Sequence, residues 1–417
     1  MKKTFLYSSI ICACAMMAFT SCNNSDEPNV ENEKPAQYSI QLTAPQQKVL
    51  SQSNDFAFDV LKTINNEDGN VFVSPYSLGQ AIGMLANGAE GQTYDEIAAV
   101  LKIGDGTSLD DINNYYADMN TALTSIKCSS QFAVANSLWT NKRHNILDIY
   151  KSDMKSHFGA KVESLDFSDS KSFALINDWV TEQTAGLIPS IVDKCSVGAD
   201  AAMLINSVYF KGLWSYFKKE KTHDDIFRNQ FDRNEKVKMM KSAEALFNGC
   251  TTDDELAVEF DYGGKAFQLM VIMPKKQKIN EYIASFNGAK YTELLSYMKQ
   301  SRAVASLPKF KQTYNNNLKA PLEKMGILRA FGDAAQFPKI SEHDGLCVTD
   351  VLQKTTIEVN EEGSVAAAVT RVDYGDTSPG FLPKEFTIDH PFIYLIKERT
   401  TGAILFIGKV QSMAGMQ

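Results

Sequence analysis

Side chains able to do chemistry are few and scattered. The five histidines, His144, His157, His223, His343 and His390, stand at no metal-ligand spacing from one another. No HExxH zinc motif occurs, and no G-x-S-x-G elbow exposes a nucleophilic serine. The stretch "GDGTSL" at Gly104 lacks the third glycine and the flanking strand that a nucleotide loop needs. A Ser/His/Asp triad assembles through space and cannot be read from spacing, yet no serine sits in a recognisable nucleophile context. Of seven cysteines, Cys12 and Cys14 lie in an N-terminal apolar run and Cys22 follows it. The other four, Cys128, Cys195, Cys250 and Cys347, are far apart and read as isolated thiols. Export would permit a disulfide among them, and the sequence does not pair them. These residues point away from an enzyme and call for no metal or cofactor.

What stands out instead is "EVNEEGSVAAAVTRVDYGDTSPG", Glu358 to Gly380, a long run of small residues. With a strand period of two, Ser364, Ala366, Ala368, Thr370, Val372 and Tyr374 share an uncharged face. Val365, Ala367, Val369, Arg371 and Asp373 share the other. Gly363 offers a pivot, and Gly375 to Gly380 is turn chemistry. The segment suits a strand with one buried face and equally a flexible loop. That makes it a candidate two-state element, with a plain loop as the alternative.

The elements around it must be large. The chain has 417 residues, 44% of them hydrophobic, enough for a big core. Its net charge of -8 and lack of a basic stripe argue against nucleic acid. Lys2, Lys3 and the apolar run from Phe5 to Phe19 form a signal segment (residues 1–21) too short for an ordinary membrane span. "TSC" at Thr20 to Cys22 resembles a bacterial lipobox, with Cys22 as the lipidated residue, although Phe19 departs from the usual leucine. Residues 22–42 are polar, acidic and proline-containing, and read as a disordered tether. Their acidic residues resemble surface-export signals of Bacteroidota lipoproteins. The expected location is therefore exported and lipid-anchored to the outer membrane, facing either side.

Residues 43–412 read as one domain, helices first and strands later, giving an α+β fold with mostly antiparallel sheets. Thr43 to Asn65 has helical spacing, and Thr93 with Glu96 predicts a capping box opening another helix. "SSQFAVANSLWTN" alternates as a strand, and "AAMLINSVYFKGLW" begins the strand-rich half.

Here the residues carry a resemblance. "NEEGSVAAAVT" resembles the serpin hinge that precedes a reactive loop. "NVFVSPYSLGQAIGMLANGAEGQTYDEI" resembles the serpin N-terminal block, and "INDWVTEQTAGLI" the helix that crosses the main sheet. "LINSVYFKGLW", "LPKFK", "LEKMGI" and "DHPFIYLI" follow in the family's order, so the likeness runs from about Ala44 to Val410. It implies a metastable fold with one large, mostly antiparallel five-stranded sheet, two further sheets and an exposed loop at about 361–383. It also implies a serine protease inhibitor acting as a suicide substrate. The cut loop would insert as a central strand with the protease trapped as acyl-enzyme. The alternative is a non-inhibitory serpin, a binding or chaperone-like surface protein, but residues from Gly363 to Thr370 include nothing bulky, charged or proline.

Residue roles follow from the same resemblance. The hinge is Glu361, Glu362, Gly363, Ser364, Val365, Ala366, Ala367, Ala368, Val369 and Thr370. Glu361 is expected to pair with Lys309, and Trp214 with Lys309 marks the breach where the loop enters. Ser74, Ser77 and Asn206 match the polar shutter, with Gln353 where the family usually has a histidine. Glutamine can donate and accept but cannot charge, which puts a pH-sensitive shutter in doubt. Counting forward from Glu361 places the scissile bond at Thr377–Ser378. Counting back from "DHPF" suggests Gly380, and Tyr374 is a secondary site. A small β-branched residue at the cut suits an elastase-like enzyme. The acidic stretch around "LDDINNYYADMN" argues against activation by heparin-like polyanions. The expected oligomeric state is a monomer.

Overall fold

The computed structural model describes residues 33–65, 69–104, 106–184, 186, 188–192, 201–363 and 383–416. Cys22, Cys195, hinge residues Ser364 to Thr370, and Tyr374, Thr377, Ser378 and Gly380 lie outside them. The helices are α1 (Ala44–Ile64), α2 (Pro75–Gly88), α3 (Gly91–Val100), α4 (Leu109–Ser125), α5 (Asp148–Phe158), α6 (Ser170–Gln183), α7 (Ile279–Ser285), α8 (Gly288–Tyr297) and α9 (Lys319–Lys324). The first strands are β1 (Val71–Val73), β2 (Gln131–Asn141), β3 (Lys161–Leu165) and β4 (Ala201–Lys211). Next come β5 (His223–Arg228), β6 (Asn234–Lys241), β7 (Ala245–Thr251), β8 (Glu255–Asp261), β9 (Phe267–Pro274), β10 (Lys299–Pro308) and β11 (Phe310–Asn317). The last are β12 (Cys347–Val359), β13 (Lys384–Thr387), β14 (Phe392–Glu398) and β15 (Ile404–Val410).

Helix α1 opens with a complete capping box, Thr43 and Gln46 each satisfying the other's amide. The box expected at Thr93 and Glu96 does not form. Helix α3 starts two residues earlier, at Gly91, and both side chains are engaged elsewhere. Thr93 Oγ1 accepts the Gln336 amide at 3.0 Å, and Glu96 accepts the Leu328 and Arg329 amides at 2.7 Å. Tertiary partners won over the local cap.

A five-stranded sheet runs β11-β12-β4-β2-β3. Its β12–β4 and β2–β3 ladders are parallel and the other two antiparallel, so this sheet is mixed. The molecule's ladders as a whole are mostly antiparallel. The two further sheets expected from the sequence are joined into one of ten strands, β1-β15-β14-β9-β8-β7-β10-β6-β5, with β13 on β10. Strand β10 is the joint: its first half pairs with β7, its second with β6 and β13.

Helix α2 is almost wholly buried behind the five-stranded sheet. Helix α6 covers the sheet's opposite face, where Phe173, Ile176 and Val180 meet Trp139, Met203 and Ile205. Residues 33–42, assigned by composition to the tether, are instead laid against the domain. The Ala36 amide donates to Gly264 O at 2.7 Å and Tyr38 Oη donates to Glu398 Oε1 at 2.5 Å. Ile40 and Leu42 pack on the core. The ordered unit thus begins upstream of Thr43. Cys128 and Cys250 are free thiols. Among the described residues no helix is long and apolar enough to cross a membrane, and no group of side chains could hold a metal ion.

Candidate functional site: a seam in the five-stranded sheet

The centre of the sheet is the parallel pair β12–β4. Their ladder runs from Cys347–Ala201 to Lys354–Ser207 and stops there. Both strands continue upward, β12 to Val359 alongside β11 and β4 to Lys211 alongside β2. Among the described residues, no ladder contact joins the two strands above Lys354. The seam is closed below and parted above.

Just below the parting lies a buried polar cluster. The inward face of β4 reads Ala202, Leu204, Asn206, Val208, Phe210, an apolar row broken by one amide. The same break occurs at Asn136 on β2 and Gln353 on β12, and register puts all three side by side. Gln353 Nε2 donates to Asn206 Oδ1 at 2.8 Å across the seam and to Ser74 O at 3.0 Å, while Gln353 Oε1 accepts the Ser74 amide at 2.8 Å. Asn206 Nδ2 donates to Ser77 O at 3.1 Å and to Asn136 Oδ1, and Ser77 Oγ donates to Asn206 Oδ1. Ser74 caps α2 ahead of Pro75, and its hydroxyl donates to Leu405 O of β15 at 2.7 Å. The structure therefore brings the four shutter residues together. The network extends to Asn136, Gln80 and Asn120, with Asn136 Nδ2 at 2.9 Å and Asn120 Nδ2 at 2.8 Å from Gln80 Oε1. Sequence reasoning missed these three. An amide interrupting an apolar strand face was the available signal for Asn136. Buried amides persist only when bonded, and such bonds can be exchanged.

At the mouth of the seam the chain turns back. Asn360 and Gly363 exchange two backbone hydrogen bonds of 3.1 Å, making a two-residue hairpin with Glu361 and Glu362 at its tip. Gly363 also bridges Leu213, just beyond β4, in the antiparallel sense. It therefore sits between the two parted strands. Its φ is +106°, and a Cβ there would lie 2.7 Å from Leu213 Cα and 2.8 Å from Trp214 N, so only glycine fits. Trp214 forms the floor. Its ring stacks on Tyr262 at 5.2 Å, its indole N–H donates to Asn360 O at 3.0 Å, and its amide donates to Glu362 O at 3.2 Å.

Both glutamates are held. Lys309 Nζ lies 2.8 Å from Glu361 Oε2, and Thr222 Oγ1 donates to Glu361 Oε1 at 2.8 Å. Lys219 Nζ lies 2.5 Å from Glu362 Oε1. Burial pushes the Glu361 carboxyl up, but the Lys309 ammonium and the Thr222 hydroxyl outweigh it and hold the group below its ordinary range. Thr222 and Lys219 carried no motif, and Asn360, which opens the "NEEGSVAAAVT" stretch, had been given no role.

A family model described as "Serpin (serine protease inhibitor)" matches residues 51–413. The chain belongs to the serpin family. Among curated relatives it is 32% identical to Iripin-1 of Ixodes ricinus over 88% of this chain and 95% of that protein. It is 31% identical to Serpin B4 of Homo sapiens, over 87% of this chain and 99% of that one. Among solved structures, native Tengpin, a thermophilic serpin, matches with TM-score 0.81 and 29% identity over 91% of this chain and 97% of its own. Uncleaved ovalbumin matches with TM-score 0.75 and 26% identity, over 87% and 99% respectively. Serpins are generally inhibitors of proteases rather than enzymes, and this serpin's fold is theirs.

Proposed function

We propose that this serpin inhibits serine proteases as a suicide substrate. Its loop is cut, inserts between β4 and β12, and holds the protease as acyl-enzyme. The observation that carries this reading is the parted seam with Gly363 at its mouth. A chain continuing from Gly363 down the seam runs antiparallel to both strands. Extending the Leu213–Gly363 and Asn360–Gly363 registers assigns Ser364, Ala366 and Ala368 to the inward row. Thr370 then falls between Asn206 and Gln353, the two amides now bonded to each other. A hydroxyl at that level can accept from one amide and donate to the other, replacing the bond it breaks.

The same register supports a scissile bond. The foot of the seam, Ala201 and Cys347, meets Gly375 on the β4 side and Asp376 on the β12 side. Thr377–Ser378 follows directly, which favours that bond over Gly380. A threonine there suits an elastase-like protease. We further propose export, lipid anchoring at Cys22 and a monomeric inhibitor. The test is incubation with a panel of serine proteases. An SDS-stable complex with an elastase-like enzyme is expected, with a released peptide whose mass begins at Ser378. Cleavage without complex across the panel would refute inhibition.

A further inference from the structure

The hairpin at the mouth of the seam is built against its own preference. Two-residue hairpins favour turns with positive φ, whose twist matches the strands, and the other turn types splay them. Neither Glu361 nor Glu362 has positive φ. Something else must hold the turn. Asn360 Oδ1 accepts the Glu362 amide at 2.9 Å, closing a side-chain turn over the tip. Asn360 Nδ2 donates to Glu358 Oε1 at 3.2 Å, and its carbonyl takes the Trp214 indole. Lys219, in the stretch between β4 and β5, holds Glu362 from outside.

Register is what this turn decides. A slip of one residue would turn every following side chain to the opposite face. Ser364, Ala366, Ala368 and Thr370 would leave the buried row, and Val365, Ala367, Val369 and Arg371 would take it. An arginine would then be driven toward Asn206 and Gln353 with no carboxylate among the network's residues to receive it.

We propose that Asn360, assisted by Lys219, is a positioning residue that fixes the register of loop uptake. The proposal rests on the inhibitory reading above. Its test compares Asn360→Ala, Asn360→Ser and Lys219→Ala with the wild type. Two quantities are read: inhibitor molecules consumed per protease trapped, and the melting temperature after loop cleavage. Loss of the turn bond in Asn360→Ala should raise consumption about threefold or more. The first cleavage should be as fast as in the wild type, and the uncut protein should melt within a few degrees of it. The cut Asn360→Ala protein should melt lower than the cut wild type. Asn360→Ser keeps an acceptor for the Glu362 amide and should recover most of both properties. Lys219→Ala should show a smaller rise in consumption, because its ammonium is largely exposed. Wild-type consumption and wild-type melting of cut Asn360→Ala would overturn the proposal, and so would a serine variant no better than alanine. If the wild type itself is cut but never trapped, the inhibitory reading fails separately. The positioning role is then decided by the melting of the cut proteins alone.

Discussion

The β12–β4 seam and the β9–β14–β15 block of the ten-stranded sheet are both buried, yet they are closed by different means. In the latter, every residue of all three strands is buried and the ladders are antiparallel. Parting them would expose hydrocarbon with nothing to replace the lost contacts. In the seam the ladder is parallel, stops partway, and is fastened on its inner face by amides and hydroxyls. Hydrogen bonds can pass from one partner to another at little net cost, whereas close packing cannot. One region is held by close packing and the other by bonds that can be exchanged.

The largest effect should come from breaking the packed block. Leu395 is fully buried between β9 and β15, and Leu395→Ala should cost about 3 kcal/mol. Urea unfolding should show that loss equally in uncut and loop-cut protein. Next comes Asn206→Ala, which strands the partner atoms of Gln353, Asn136 and Ser77 and should cost the uncut protein about 2 kcal/mol. Here the cut protein should lose less, because the inserted strand supplies new partners. Equal losses in both forms would erase the distinction between the two regions.

Smaller still is Lys309→Met, which takes the ammonium from the buried Glu361 carboxylate and should cost about 1 kcal/mol at neutral pH. The folded Glu361 pKa is lowered, so its contribution is full above the ordinary glutamate range and fades as pH falls through the folded value. Wild type and variant should therefore converge in acid, as denaturant midpoints from pH 7 down to about 3 would show. The least effect is expected from Lys142→Ala, whose partner Asp166 lies on the surface. Its melting temperature should match the wild type within error.

Much of this was written in the chain. Residues 364–370 showed their smallness, and three strands showed one amide each in an apolar row. The resemblance named Glu361, Lys309, Trp214, Ser74, Ser77, Asn206 and Gln353, and the structure sets them around one seam. The pairing itself was not legible, because Gln353 and Asn206 are 147 residues apart and only the ladder aligns them. Thr93 misled for a related reason: its hydroxyl serves a distant amide, which no local pattern reports. The fusion of the outer strands through β10 depends on one strand serving different neighbours along its length. Tyr38 anchors residues that composition alone assigns to a tether, since a single aromatic hydroxyl on a buried glutamate outweighs a polar neighbourhood.

Because β12 and β4 point the same way, the seam has a direction. A strand threading down from Gly363 meets antiparallel backbone on both sides, the better-bonded arrangement, at every step. A strand threading up from the foot would be parallel to both. The sheet is in this sense a one-way slot about 40 Å long, the span of the thirteen residues from Leu213 to Ala201. Under the proposed mechanism, whatever is fastened to the cut end would be carried the length of that slot.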